Sequence, residues 1–137
     1  SCNVSWIVVD HISIMVSGIE GGDERRLIDN LMTKLRSLAE EVNIGIFIVS
    51  HLRKPADGRG HEDGRKISLN DLRGSGSIAQ LSDFVVGLER NQQEGSETTV
   101  RILKARYKGS STGVAARLYY DRESGRLREC EYIEEAF

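Results

Sequence analysis

Trp6-Ile7-Val8-Val9-Asp10 and Ile44-Gly45-Ile46-Phe47-Ile48-Val49 are short apolar runs, and together with the stretch between them they decide the fold. The first is rich in β-branched residues and ends in a carboxylate, as a buried strand of an α/β sheet does. After Gly21-Gly22, Asp23 is placed to cap a helix running to about Val42. Leu27, Leu31, Leu35, Leu38 and Val42 recur at three- and four-residue steps, while Arg25, Arg26, Lys34 and Arg36 stay off that stripe. Asn43 and Gly45 break the helical pattern, and the second run ends at Ser50-His51. Strand, amphipathic helix, strand is a βαβ unit whose crossover is expected to be right-handed.

Outward from this unit, residues 52–66 are Gly-rich and charged, hence an exposed loop. A short helix is expected around 75–81 and a strand at about 84–89. Turn chemistry spans Asn91 to Ser96. Residues 98–106 and 114–120 alternate as two antiparallel strands, and Glu123-Ser124-Gly125 makes a last hairpin turn. No internal repeat or low-complexity linker interrupts the chain. The pattern predicts an α/β fold, parallel strands followed by antiparallel hairpins, in one mixed sheet and one compact unit over residues 1–130. That sheet is expected to lack strands that precede Trp6, and residues 131–137 read as an acidic tail.

The 137 residues are 39% hydrophobic, which suits one globular domain, and carry a net charge of −2. Overall charge therefore offers no general attraction for nucleic acid, and any DNA contact has to come from a local basic patch. Cys2 and Cys130 stand at opposite ends without metal-ligand spacing, which argues for a reducing compartment and against a disulfide framework. No apolar run approaches the about 18 residues of a membrane span, and no leader pattern precedes the first strand. The chain opens with Ser1 rather than Met, so a fragment or processed piece is expected.

An apolar strand ending in Asp10 and continuing into His11-Ile12-Ser13 has the shape of a Walker B element, whose carboxylate holds Mg²⁺, usually through water. Taken alone it is equally a carboxylate that starts a loop. Ligands bind beyond the carboxyl ends of parallel strands, so Asp10 and His51 are expected to open onto one crevice. A histidine there can donate to a terminal phosphate. The loop from Arg53 to Lys66 holds five Lys/Arg together with three glycines, a composition suited to phosphates on a strand threaded past it. Asp57, Glu62 and Asp63 partly cancel that charge, and a solvated loop explains the composition as well. Asn70-Asp71-Leu72-Arg73-Gly74-Ser75-Gly76-Ser77 is either an anion site or a capped helix start. In the strand around Arg101, that residue is spaced to share a face with Leu103 and Ala105, and Lys104 with Arg106 the opposite face. Two cations there can reach a neighbouring subunit's nucleotide or form an ordinary solvated face.

Taken in order, several segments resemble the bacteriophage primase-helicases, with DnaB-type helicases and the mitochondrial Twinkle helicase more distant. They are Val9-Asp10-His11-Ile12-Ser13-Ile14, Asp23-Glu24-Arg25, Ile28-Asp29-Asn30-Leu31-Met32-Thr33-Lys34-Leu35, Ser50-His51-Leu52, Asp71-Leu72-Arg73-Gly74-Ser75-Gly76, Gln80-Leu81-Ser82-Asp83 and Leu88-Glu89-Arg90-Asn91-Gln92-Gln93. The resemblance covers about residues 8–127. It implies the carboxyl-terminal half of a RecA-like P-loop NTPase motor in a homo-hexameric ring. Such a ring hydrolyses ATP or dTTP with Mg²⁺ between subunits and moves 5′→3′ on single-stranded DNA.

Carried over position by position, the resemblance makes Asp10 the Walker B carboxylate and His51 the phosphate sensor. Arg53, Lys54 and Arg59 fall on the loop that grips DNA, with Arg73 and Gln80 in the motif after it. Arg106 matches the arginine finger, with Lys104 beside it. Tyr120 matches the aromatic residue that stacks on the nucleotide base, and Gln80 and Arg90 join it as expected nucleotide contacts. Ala56 and Asp57 depart from the more basic loop expected. The resemblance also implies an acidic tail ending in an aromatic residue, here Phe137, that docks on a replicative DNA polymerase, and work in the cytoplasm of a phage-infected bacterium rather than a mitochondrial matrix. No Gly-x-x-x-x-Gly-Lys-Ser/Thr occurs in these residues. The helicase activity is therefore expected of a larger parent protein, and no NTPase activity of this piece alone. A RecA-type recombinase or clock-protein ATPase, and a non-catalytic DNA-binding or assembly module, are the alternatives the sequence leaves open.

Overall fold

A computed structural model of the chain describes residues 3–19, 23–54, 60, 65–74, 76–93, 95–107 and 112–130. These form two compact units rather than the single one expected, the first built from residues 1–53 and 70–82, the second from 54–69 and 83–137. Residues 52 and 72 form an antiparallel bridge in the first unit. The chain thus leaves that unit after Arg53, returns at Asn70, and leaves again after Ser82. Consistent with this division, the described strands make one two-stranded and one four-stranded sheet instead of one mixed sheet.

In the first unit, β1 (Trp6–Val9) pairs in parallel with β2 (Gly45–Ile48), with Trp6 opposite Gly45 and Val9 opposite Ile48. The Trp6 indole lies over Gly45, where a Cβ would run into it, and stacks on Phe47 at 5.2 Å between ring centroids. Both strands are apolar on both faces, yet Trp6, Val8 and Phe47 are exposed. The expectation of a buried strand thus fails for one face. A parallel pair needs cover on each side, and among the described residues Ile7, Val9, Ile46 and Ile48 are the less exposed set.

Between these strands lie α1 (Ile12–Val16), which periodicity does not reveal because it is little more than one turn long, and α2 (Glu24–Glu41). Asp23 caps α2 by accepting the Arg25 N–H at 3.1 Å, a contact worth about 1 kcal/mol. Its buried residues are Ile28 and Met32, whereas Leu38 and Val42 are exposed. The buried stripe therefore runs slightly aside from the leucine ladder of the sequence. Burying Ile12 and Ile28, at 1% and 0% exposure, stabilises the unit by on the order of 2 kcal/mol each. The helix stops because Asn43 takes a left-handed conformation (φ 53°) and the Ile44 N–H turns back to the Ala39 carbonyl at 3.1 Å. The short α3 (Gly76–Leu81) packs on α2.

The second unit is an antiparallel meander of β3 (Phe84–Arg90), β4 (Glu97–Ala105), β5 (Gly113–Asp121) and β6 (Arg126–Glu129), in that spatial order. Its buried positions include Ile67, Val85 and Ala105. Register shifts fall between Val85 and Val86 and between Val100 and Arg101. The first leaves Leu103 as an extra residue of β4, so the alternation through Arg101, Leu103 and Ala105 is interrupted there. The last hairpin closes as expected. Asp121 accepts N–H bonds from Glu123 (3.0 Å) and Ser124 (3.4 Å), and Gly125 supplies the positive φ of 66°.

Candidate nucleotide and DNA site

Parallel pairing sends β1 and β2 out at the same edge, so Asp10 and His51 follow the carboxyl ends of neighbouring strands. Backbone bonds lock this edge: the Val49 N–H donates to Val9 O at 2.9 Å, and the Ile12 N–H donates to Val49 O at 3.1 Å. The second bond carries the chain across the strand end into α1. The His11 and His51 rings come to 4.1 Å between centroids. Asp10 and His51 are both exposed.

The Asp71-Leu72-Arg73 segment is drawn to the same place. The Arg73 N–H donates to His51 O at 2.8 Å and the Arg53 N–H to Asp71 O at 2.7 Å, on either side of the Leu52–Leu72 bridge. His11, Ser13, His51 and Arg73 share the lining of a cavity of about 400 Å³, whose wall includes Val16 and Leu27. Nδ1 of His11 is buried and meets no hydrogen-bond partner among the described residues. A buried ring nitrogen in that position is normally satisfied by a ligand or water. Imidazole, hydroxyl and guanidinium groups are among the lining residues, together with the carboxyl-bearing Glu24 and several apolar side chains. In the sequence, His11 and Ser13 read only as the continuation of the strand. The rule that places His51, a polar residue just past a parallel strand, applies to His11 equally.

No group of three or more His, Cys, Asp or Glu among the described residues can hold a metal ion. Asp10, a single exposed carboxylate at a strand end, fits Mg²⁺, which keeps several waters and takes one or two carboxylates plus substrate phosphates.

Among the other expected site residues, Arg53 and Gln80 belong to the first unit, Gln80 lying exposed on α3. Lys54, Arg90, Lys104, Arg106 and Tyr120 belong to the second, and Arg59 lies outside the described residues. Arg90 ends β3 opposite Thr98, Lys104 faces Val85, and Tyr120 pairs with Leu127 with its side chain half exposed. Arg106 follows β4, and its Nη1 lies 2.9 Å from Oδ1 of Asp83. Arg101 is taken up internally: its guanidinium donates to both Glu89 oxygens at 2.7 and 2.9 Å. Burial pushes the Glu89 carboxyl up, but the Arg101 hydrogen bonds, the Ile67 N–H (2.8 Å) and the charges of Arg101 and Lys66 outweigh it. The net effect holds Glu89 below its ordinary value.

A parallel strand pair followed by antiparallel hairpins gives the chain part of a RecA-like fold. A solved structure of an ATPase domain superposes with a TM-score of 0.74 at 21% identity, covering 92% of this chain and 44% of that one. The chain belongs to the DnaB-like helicase C-terminal domain family, whose model matches residues 1–129. It is similar to the DNA helicase/primase of Enterobacteria phage T3, 47% identical over 133 residues that make up 96% of this chain and 23% of that protein. It is also similar to the replicative DNA helicase DnaB of Treponema pallidum, 32% identical over 103 residues, 75% of this chain and 22% of that protein. The chain thus spans less than a quarter of the length of these curated relatives. No described helix is long and apolar enough to cross a membrane.

Proposed function

We propose that this chain is the carboxyl-terminal part of the motor domain of a replicative DNA helicase of the phage primase-helicase type. The complete protein hydrolyses ATP or dTTP and moves 5′→3′ on single-stranded DNA as a six-subunit ring in the cytoplasm of an infected bacterium. One arrangement carries the reading: Asp10 and His51 leave adjacent parallel strands at one edge, and a backbone bond ties Arg73 to His51. The 47% identity to a phage helicase/primase, against 32% to a bacterial DnaB, favours the phage type.

In this reading His51 donates to the terminal phosphate and senses its loss, and the bridge at Leu52–Leu72 passes that change to Arg73 and the loop after Arg53. Asp10 would hold Mg²⁺, which would supply positive charge to the phosphates when bound. Arg106 reaches the nucleotide of the neighbouring subunit, with Lys104 beside it. Tyr120, Gln80 and Arg90 contact nucleotide, and Arg53, Lys54, Arg59 and Arg73 contact DNA. Residues 131–137, outside the described residues, dock on the replicative polymerase. These 137 residues contain no phosphate loop, so turnover belongs to the complete protein.

The test is subunit mixing in the full-length protein. A finger acting in trans is worth on the order of 10³ in turnover, so Arg106→Ala subunits should retain nucleotide binding and lose hydrolysis and unwinding. Mixed with wild type, they should poison the rings beyond simple dilution. Linear dilution of activity, or strand exchange without unwinding, would refute the reading.

A further inference from the structure

Arg106 lies one residue past β4 and Asp83 one residue before β3, so the pair forms the next rung beyond Phe84–Ala105. The rung is closed twice. The Arg106 N–H donates to Asp83 O at 2.8 Å, and Nη1 of Arg106 lies 2.9 Å from Oδ1 of the same residue. The backbone bond fixes where the arginine starts, and the ion pair, a charge contact at a buried Oδ1 that lacks hydrogen-bond geometry, holds its head group beside Asp83. Val85 and Ala105, both buried, anchor the adjoining part of the pair.

An arginine side chain is rich in rotamers, and part of that freedom is lost when its head group is placed on a phosphate. A carboxylate that already orders the head group removes some of that loss from the catalytic step. Its grip must also be weak enough to share the guanidinium. The side chains of Arg106 and Asp83 are 37% and 32% exposed, which places the pair among the weak, partly solvated ones. The 2.9 Å contact to Asp83 engages Nη1, and a guanidinium has five donors in a fork. The contrast is Arg101 on the same strand, whose Nε and Nη2 are both committed to a more buried glutamate.

We propose that Asp83 is a positioning residue for Arg106, ordering the guanidinium before it meets the neighbouring subunit's nucleotide. This rests on the reading of Arg106 as a finger in trans. The charge pattern holds the clue, since an acidic residue at the start of one hairpin strand faces a basic residue at the end of the next. That pairing is visible only once the register is known.

The experiment measures kcat and KM for ATP hydrolysis in the assembled full-length protein carrying Asp83→Ala, Asp83→Asn or Asp83→Glu, each with and without Arg106→Ala. Misplacing a catalytic group by about 1 Å costs up to about 10²-fold, and partial loss of order should lower kcat roughly tenfold in the Ala and Asn variants. KM should stay within about twofold, and Asp83→Glu should recover most of the rate. In the Arg106→Ala background, replacing Asp83 should change nothing further. Asp83→Asn keeps the shape of the side chain and serves if Asp83→Ala fails to assemble. An unchanged or raised kcat in these variants, with Arg106→Ala itself strongly impaired, overturns the proposal and leaves the finger reading intact. Equal losses in both backgrounds overturn it too, since Asp83 would then act on the fold. An Arg106→Ala protein with normal turnover overturns the finger reading and the proposal with it.

Discussion

Glu89 is 9% exposed at its side chain and commits both oxygens to Arg101, one of them also to the Ile67 N–H. Breaking such a pair from one side leaves the other charge uncompensated, which costs far more than the pair contributes over an apolar replacement. Glu89→Gln keeps the shape and removes the charge, and should weaken the β3–β4 pairing by about 2 kcal/mol. The carboxyl is held below its ordinary value, so the folded state binds fewer protons there than the unfolded chain. Its stabilisation is then fully present above the unfolded value, about 4.3, and is lost as pH falls through the lower folded one. Amide exchange along β3 and β4 of the full-length protein should be faster in the variant at pH 7, and the two proteins should converge in acid. Equal protection at pH 7 would show that the pair is stabilised by neighbours and not by charge. The sequence places Arg101 with Leu103 and Ala105; only the pairing with β3 shows that its charge is neutralised internally.

At the scale of elements, the loop after β2 begins from a defined base. Arg53 is held by its backbone to Asp71, whereas Lys54 is exposed and belongs to the second unit. If Arg53, Lys54 and Arg59 contact phosphates, replacing all three with Ala should weaken single-stranded DNA binding and flatten its salt dependence. The log-log slope should fall by roughly 0.7 for each phosphate no longer neutralised. Binding titrations of the full-length protein at several salt concentrations check this, and DNA-stimulated hydrolysis should drop more than basal hydrolysis. A slope that does not change would make this a solvated loop. The helix α2 is legible from sequence alone because its cap, Asp23, and its stop, Asn43, are set by local chemistry. The five-residue α1 is not, because so short a helix offers too little periodicity to read. It is held from a distance, by the Ile12 N–H on Val49 and by burial of Ile12 and Val16.

For the whole molecule, the acidic segment 131–137 ends in Phe137, outside the described residues. A carboxylate cluster speeds encounter with a basic patch, and an aromatic ring can anchor in a pocket. Deleting residues 131–137 from the full-length helicase should spare unwinding and weaken polymerase binding in a salt-sensitive way. Equal polymerase affinity at low salt with and without the segment would return it to a solvated tail. The sequence by itself determined the βαβ unit, the helix ends, the antiparallel hairpins and the ordered motif set, since period, caps and turn residues act over a few neighbours. It also set Asp10 and His51 beyond the ends of two paired parallel strands, because parallel strands share an edge whatever surrounds them, although of the two only His51 lines the cavity there. Only the tertiary structure decided that Arg73 is tied to His51, that His11 stands against it, and that Asp83 meets Arg106. It decided as well that the chain divides into two units. Each of these depends on register or on segments far apart in sequence, where one residue of slip or one bulge exchanges which side chains meet.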